Sequence, residues 1–179
     1  LKELKLKAAK IRLRVLEDAV RAEKGHLGGS FSCVELLVSL YYGGFINIDP
    51  NNPKDPARDF FIMGKGHACL SLYPILNDLG FLSDQRHLEY GKNGSSVGGQ
   101  MDVSIPGVEY NTGSLGHALG ICSGFAFTSK VAGRNNKSFA LIGDAECEEG
   151  AIWEAIFFAA EHKLDNLVCV VDRNRLSVT

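Results

Sequence analysis

No run of about 18 apolar residues occurs in this sequence, so no segment reads as a membrane span. An excess of one charge is missing as well. Lys and Arg number 19 against 21 Asp and Glu, a formal net charge of −2, and the two signs are mixed along the chain. That balance leaves no electrostatic footprint for nucleic acid or an anionic membrane. There is no CxxC pair: the five cysteines, Cys33, Cys69, Cys122, Cys147 and Cys169, are widely spaced. This excludes a zinc ribbon or a thioredoxin-type motif and suggests reduced thiols in a cytoplasmic protein, with Cys147 in an acidic turn the one to test for reactivity. Internal repeats and low-complexity segments are absent. The amino end reads as a Lys-rich amphipathic helix rather than a secretory leader.

What remains is the composition of an ordinary globular domain, 45% hydrophobic and 22% charged over 179 residues, enough for one domain with a sizeable core. Leu4, Leu6, Ile11, Leu13, Val15, Leu16 and Val20 punctuate a helix from Lys2 to Glu23, with Gly25 as its stop. Gly25 to Ser30 reads as a glycine loop holding His26, and Ser32-Cys33-Val34-Glu35 as a capping box opening a second helix. Gly43 to Asp59 is a connecting loop with Pro50, Pro53 and Pro56 beside Asn47, Asn51 and Asn52. Phe60–Met63 is a short buried strand. Gly64-Lys65-Gly66-His67 and a helix through Leu79 follow it, a geometry that offers helix-start amides, assisted by Lys65 or His67, to a phosphate. His87, in the short helix after Ser83, reads as a solvated or interface residue. Gly91 to Val108 is a second loop. The small residues Gly116, Ala118, Gly120, Ser123 and Gly124 would let another helix pack closely on the helix after His117.

The stretch from Phe139 to Val178 organises the rest. Phe139–Ile142 is a buried strand broken at Gly143-Asp144, Glu148 to His162 is a helix, and Leu167–Val171 is a second strand ending at Asp172-Arg173-Asn174. Strand, helix, strand of this length is a right-handed βαβ unit with parallel strands. The unit brings Asp144 and Asn174 to one carboxyl-terminal sheet edge, where open α/β sheets bind ligands. Asp and Asn oxygens, with a backbone carbonyl near Leu176, are hard donors suited to Mg²⁺ or Ca²⁺. On spacing alone two readings stay open, a metal half-site or an Asp144 that caps the helix. The acids of Glu146-Cys147-Glu148-Glu149 suit a helix amino terminus in the same way.

Gly143-Asp144-Ala145 … Asn174 resembles the Gly-Asp-Gly … Asn signature of thiamine-diphosphate enzymes, with Ala145 in the place of the last glycine. The text around it is similar to the cofactor domain of the transketolase family, in particular to split transketolases. Four ordered segments, lying between about Lys24 and Ser177, carry this resemblance: Gly25-His26-Leu27-Gly28, Gly64-Lys65-Gly66-His67-Ala68, Gly113-Ser114-Leu115-Gly116, and Asp144 with Asn174. It implies an α/β, three-layer fold, mostly parallel sheet with helices on both faces. It implies thiamine diphosphate and Mg²⁺ (or Ca²⁺) as cofactors, with Asp144, Asn174 and the Leu176 carbonyl on the metal. His67 would contact the diphosphate. Gly113, Ser114 and Leu115 would meet the cofactor rings, and Gly143, Ala145 and Glu146 would complete the binding turn. His26 would face the reacting substrate carbons. Gln100 stands where the family has a substrate-holding histidine, and counts with His26 and His67 among the catalytic positions as a hydrogen-bond donor rather than an acid or base. Glu149 would match a glutamate linking the two cofactor sites of a dimer.

The implied activity is transfer of a two-carbon ketol unit from a ketose phosphate to an aldose acceptor. The implied partners are sugar phosphates and a second chain with the pyrimidine-binding domain, in a homodimer or heterotetramer. Residues 1–179 are expected to be a cofactor domain that continues beyond the given sequence. Ala145 and Gln100 keep two other readings in play, a non-catalytic subunit of the same fold and a biosynthetic enzyme with an unusual acceptor.

Overall fold

The computed structural model describes residues 1–176; Ser177 and Val178, the ends assigned above to the resemblance and to the organising stretch, lie outside the described residues. The chain opens with helices α1 (Lys2–Ala22), α2 (Leu27–Phe31) and α3 (Val34–Tyr42). Strand β1 (Phe60–Met63) leads through a 3₁₀ turn at Gly66–Ser71 into α4 (Tyr73–Leu79) and α5 (Asp84–His87). After a long loop come α6 (Ala118–Val131), β2 (Ser138–Gly143), a 3₁₀ turn at Ala145–Glu148, α7 (Gly150–Glu161) and β3 (Leu167–Asp172). The strands form one parallel sheet in the order β1-β2-β3, with Met63 beside Leu141 and Gly143 beside Asp172 at the carboxyl edge.

The strand sequences are apolar without alternation because β1 and β2 are covered on both faces. Phe61, Met63, Phe139 and Leu141 join the core with α1, α3 and α4, whereas Ile62, Ala140 and Ile142 join a second core with α6 and α7. The result is the expected three-layer α/β architecture. α6 crosses the sheet closely, and Phe125 stacks on Phe60 with ring centroids 4.7 Å apart. A methyl group on Gly120 would stand 4.0 Å from Ala155 Cβ of α7, so the small residues of α6 do admit a neighbouring helix.

Several local expectations change. α1 buries Ala8, Ile11, Val15 and Ala19, a stripe at three- and four-residue spacing, while Leu6, Leu13, Leu16 and Val20 lie exposed on the opposite side. Glu23, at φ 53°, ends α1 in place of Gly25, and its N–H and that of Lys24 return to the carbonyls of Val20 and Ala19. The loop at residues 25–30 contains the helical turn α2, with His26 at its cap. The capping box does not form: Cys33 caps α3 without a side-chain bond, Ser32 turns inward toward Asp172, and Glu35 pairs with Arg12 instead. α7 begins at Gly150, after the 3₁₀ turn, and buries Ile152 and Ala155 but not Ile156 or Trp153. His87 is buried, 2.7 Å from Asp18, and Arg14 meets its other ring nitrogen at 2.9 Å. An inward Asp and an Arg satisfy both ring nitrogens, which is why a histidine is tolerated in this core.

Candidate functional site

The residues singled out from the sequence converge on the carboxyl edge of the sheet. His67 follows β1 and is half-buried, packed against the backbone of Gly29, with the His26 ring edge-on to it at a centroid distance of 5.5 Å. His26 itself is exposed. Burial holds the His67 imidazole below the usual histidine range, and the nearby Lys65 and His26 push it further down. A neutral His67 can donate from one ring nitrogen and accept at the other.

Beside this pair lies the loop at residues 112–117. Gly113 (φ 145°) and Gly116 (φ 89°) take left-handed backbone conformations that favour glycine. The Gln100 side chain lies against Gly113, and a Cβ on Gly66 would come within 2.5 Å of Gln100 Oε1 and collide with Thr112 Oγ1. Thr112 Oγ1 is buried with no hydrogen-bond partner among the described residues, an acceptor and donor left over at this point of the site. Ser114 is exposed and Leu115 is 38% exposed, an apolar side chain at the lip.

Glu146 is the buried acid of the acidic turn. Its carboxylate packs 2.6 Å from where a Gly64 Cβ would be and accepts from Gly116 N at 2.9 Å and Gly143 N at 3.1 Å. Burial raises its pKa, and those two bonds with the Lys65 charge offset part of the rise. At 1% exposure it holds backbone together and does not reach the opening, which corrects its assignment as a direct cofactor contact. Lys65 is corrected likewise. It is 1% exposed and paired with Asp172, so it is not a phosphate donor; the helical stretch expected through Leu79 starts as a 3₁₀ turn, Gly66–Ser71, and continues as α4 to Leu79.

Asp144 is bound through both carboxylate oxygens. Its Oδ1 accepts from Ala145 N at 3.2 Å, capping the 3₁₀ turn rather than α7, and its Oδ2 accepts from Arg175 N at 2.8 Å. The second bond locks the β2 turn to the loop carrying Asn174, whose Oδ1 accepts from Leu176 N at 2.8 Å. Asp144 N reaches Asp172 O at 3.3 Å, so the two loops are tied twice. Ala145 has no positive φ, and its methyl group requires no backbone strain. Among the described residues no three His, Cys, Asp or Glu side chains cluster as a metal site. An ion here would take one carboxylate, an amide oxygen and backbone carbonyls, the donor chemistry of Mg²⁺ completed by phosphate oxygens. The hard-oxygen donors and the orphaned Thr112 hydroxyl fit a diphosphate cofactor with its metal.

Cys147, chosen for reactivity, is held above the ordinary thiol range by burial and by Glu146 and Asp144, so it is protonated near neutral pH and a poor nucleophile. The buried Thr112 hydroxyl, and the contact that joins Ser32, Lys65 and Asp172, escaped the sequence reading, because each depends on tertiary packing between distant segments.

Comparison with known proteins gives a consistent picture. Residues 4–179 match the family model described as transketolase, thiamine diphosphate binding domain. The chain is 40% identical over 176 residues to an apulose-4-phosphate transketolase subunit from Phocaeicola vulgatus, covering 98% of this chain and 62% of that protein. It is 33% identical over 177 residues to 6-deoxy-6-sulfo-D-fructose transketolase subunit SqwG of Clostridium sp., covering 98% of this chain and 64% of that protein. A crystal structure of transketolase from Campylobacter jejuni superposes with a TM-score of 0.90 at 29% identity, over 99% of this chain and 29% of that one. The chain thus spans less than two thirds of the length of these relatives.

Proposed function

The chain belongs to the transketolase family, as its thiamine-diphosphate-binding domain, and from that premise we propose that it is the diphosphate- and metal-holding half of a two-part transketolase. In this reading it moves a two-carbon ketol unit from a ketose phosphate to an aldose acceptor. The observation that carries the proposal is the double tie between the Asp144 turn and the Asn174 loop, which brings two hard-oxygen donors to one sheet edge. Mg²⁺ would be held by Asp144, Asn174 and the Leu176 carbonyl. His67, with Gly143 and Ala145 in the adjoining turn, borders the diphosphate, and Gly113, Ser114 and Leu115 border the rings.

Thiamine diphosphate, when bound, supplies the carbanion chemistry that breaks and makes the carbon–carbon bond. The chain's own residues bind and orient. His26, exposed and edge-on to His67, would donate to or accept from substrate oxygens. Gln100 lies against Gly113 on the same side and donates from its amide to a sugar hydroxyl or phosphate without changing charge. Exposure of His26, Ser114 and Leu115 supports a site completed by a second chain carrying the pyrimidine-binding domain, in a dimer of halves or a heterotetramer. Two relatives named as subunits motivate the split organisation. Five free thiols, and no described helix long and apolar enough to cross a membrane, suit a cytoplasmic enzyme of carbohydrate metabolism.

Titration calorimetry of the full chain tests the proposal, with thiamine diphosphate added with and without Mg²⁺ and with and without the candidate partner chain. Heat of binding that requires Mg²⁺ supports it. No heat with both Mg²⁺ and partner present removes it and leaves a non-catalytic role.

A further inference from the structure

Asp172 stands at the end of β3, 6% exposed, and is used by four segments at once. Its carboxylate accepts from Lys65 Nζ, which arrives from the end of β1. Ser32 Oγ, from the α2–α3 corner, lies 2.6 Å from the same Oδ2 and 3.0 Å from Lys65 Nζ. Its backbone carbonyl accepts from Asp144 N at 3.3 Å and Asn174 N at 3.0 Å. Each of these segments carries a residue of the candidate site. His67 is two residues beyond Lys65, His26 caps the short helix that leads to Ser32, and Asp144 and Asn174 bear the proposed metal donors.

The sheet order makes this connection unusual. β1 and β3 are not neighbours, because β2 lies between them. Two strand spacings separate them, roughly 10 Å, so only a long side chain passing over the end of β2 can join their tips. Lys65 does so while 1% exposed, with its charge inside the protein. A buried ion pair is a weak source of stability, since desolvation offsets most of its attraction. What it supplies is a fixed spacing.

We propose that Asp172, bridged to Lys65 and Ser32, is a positioning hub that sets the distance between the His67 turn and the Asp144–Asn174 loops, and thereby the affinity of the edge for a diphosphate–metal pair. Asp172 touches neither ligand and acts through the residues it spaces. The inference rests on the proposed function for its ligand, but not for its geometry.

The test compares the full wild-type chain with Lys65→Met/Asp172→Asn, which removes both charges at similar shape and leaves neither partner buried alone. Amide hydrogen exchange is read first, without ligand. Exchange is expected to quicken together at residues 64–67, 144–145 and 174–176, and to stay unchanged in α1. Acceleration confined to the substituted positions, or spread evenly over the chain, overturns the hub. Calorimetry with thiamine diphosphate and Mg²⁺ follows. The double variant is expected to bind roughly tenfold more weakly or worse, and Lys65→Arg, which keeps charge and reach, to recover most of the loss. Wild-type affinity in the double variant overturns the proposal. Should the double variant fail to fold, Ser32→Ala, which leaves the ion pair in place, is read by the same two measurements. Coupled exchange at residues 64–67 and 174–176 then supports the hub, and none refutes it. Failure of the wild type to bind thiamine diphosphate counts against the proposed function, while the exchange result still decides the hub.

Discussion

Asp144 serves two purposes with one carboxylate, closing a 3₁₀ turn and pinning the Asn174 loop. Asp144→Ala should therefore cost about 1 kcal/mol of stability, the usual value of a lost cap, yet abolish Mg²⁺-dependent heat in the calorimeter. A thermal melt and a titration separate the two effects. His67 carries a different prediction. Its folded pKa is depressed, so its contribution to stability is present above the unfolded histidine value and is lost as pH falls through the lower folded value. NMR titration should show His67 ionising below an ordinary histidine, and His26→Ala should move it upward by removing one of the two nearby positive charges. Glu146 has the opposite sign. Its folded pKa is raised, so its contribution is fully present below the unfolded glutamate value and is lost as pH rises through the folded value. Glu146→Gln, neutral throughout, should flatten that part of the pH–stability profile. It should also leave either Gly116 N or Gly143 N without its acceptor, since an amide offers one oxygen where the carboxylate offers two.

At the scale of elements, the loop at residues 112–117 is held in shape by glycines and by the acid beneath it. A methyl group on Gly116 would meet Glu149 Cβ at 2.6 Å on a backbone already at φ 89°. Gly116→Ala is expected to cost at least about 1 kcal/mol and to displace the lip bearing Ser114 and Leu115, weakening cofactor binding while the far-UV circular dichroism stays unchanged. Leu37, 1% exposed in the core shared by α1, α3 and the sheet, is distant in role from that loop. Leu37→Ala should cost about 2–5 kcal/mol, read as a lower denaturation midpoint. The strands and long helices were legible because their apolar runs and periodicities are local properties. The capping box at Ser32 was not, because a Ser-x-x-Glu pattern competes with partners far along the chain. Asp172 lies 140 residues away and claims the hydroxyl, while Arg12 claims Glu35.

For the molecule as a whole, the edge that gathers His26, His67, Gln100, Asp144 and Asn174 is open on the side where His26, Ser114 and Leu115 are exposed. With ketose phosphate and aldose acceptor, turnover is expected from the chain together with a partner bearing the pyrimidine-binding domain and not from the chain alone. A coupled assay of both samples decides this, and full activity without partner would remove the split organisation. The βαβ order, the parallel strands and the edge at which Asp144 and Asn174 end are all written in the order of residues, because strand length, helix period and crossover handedness leave few alternatives. Which charged groups face the opening is not written there and was settled by packing. Lys65 and Glu146 read as ligand contacts in one dimension and are buried struts in three, since direction and burial depend on residues that the chain brings from far away.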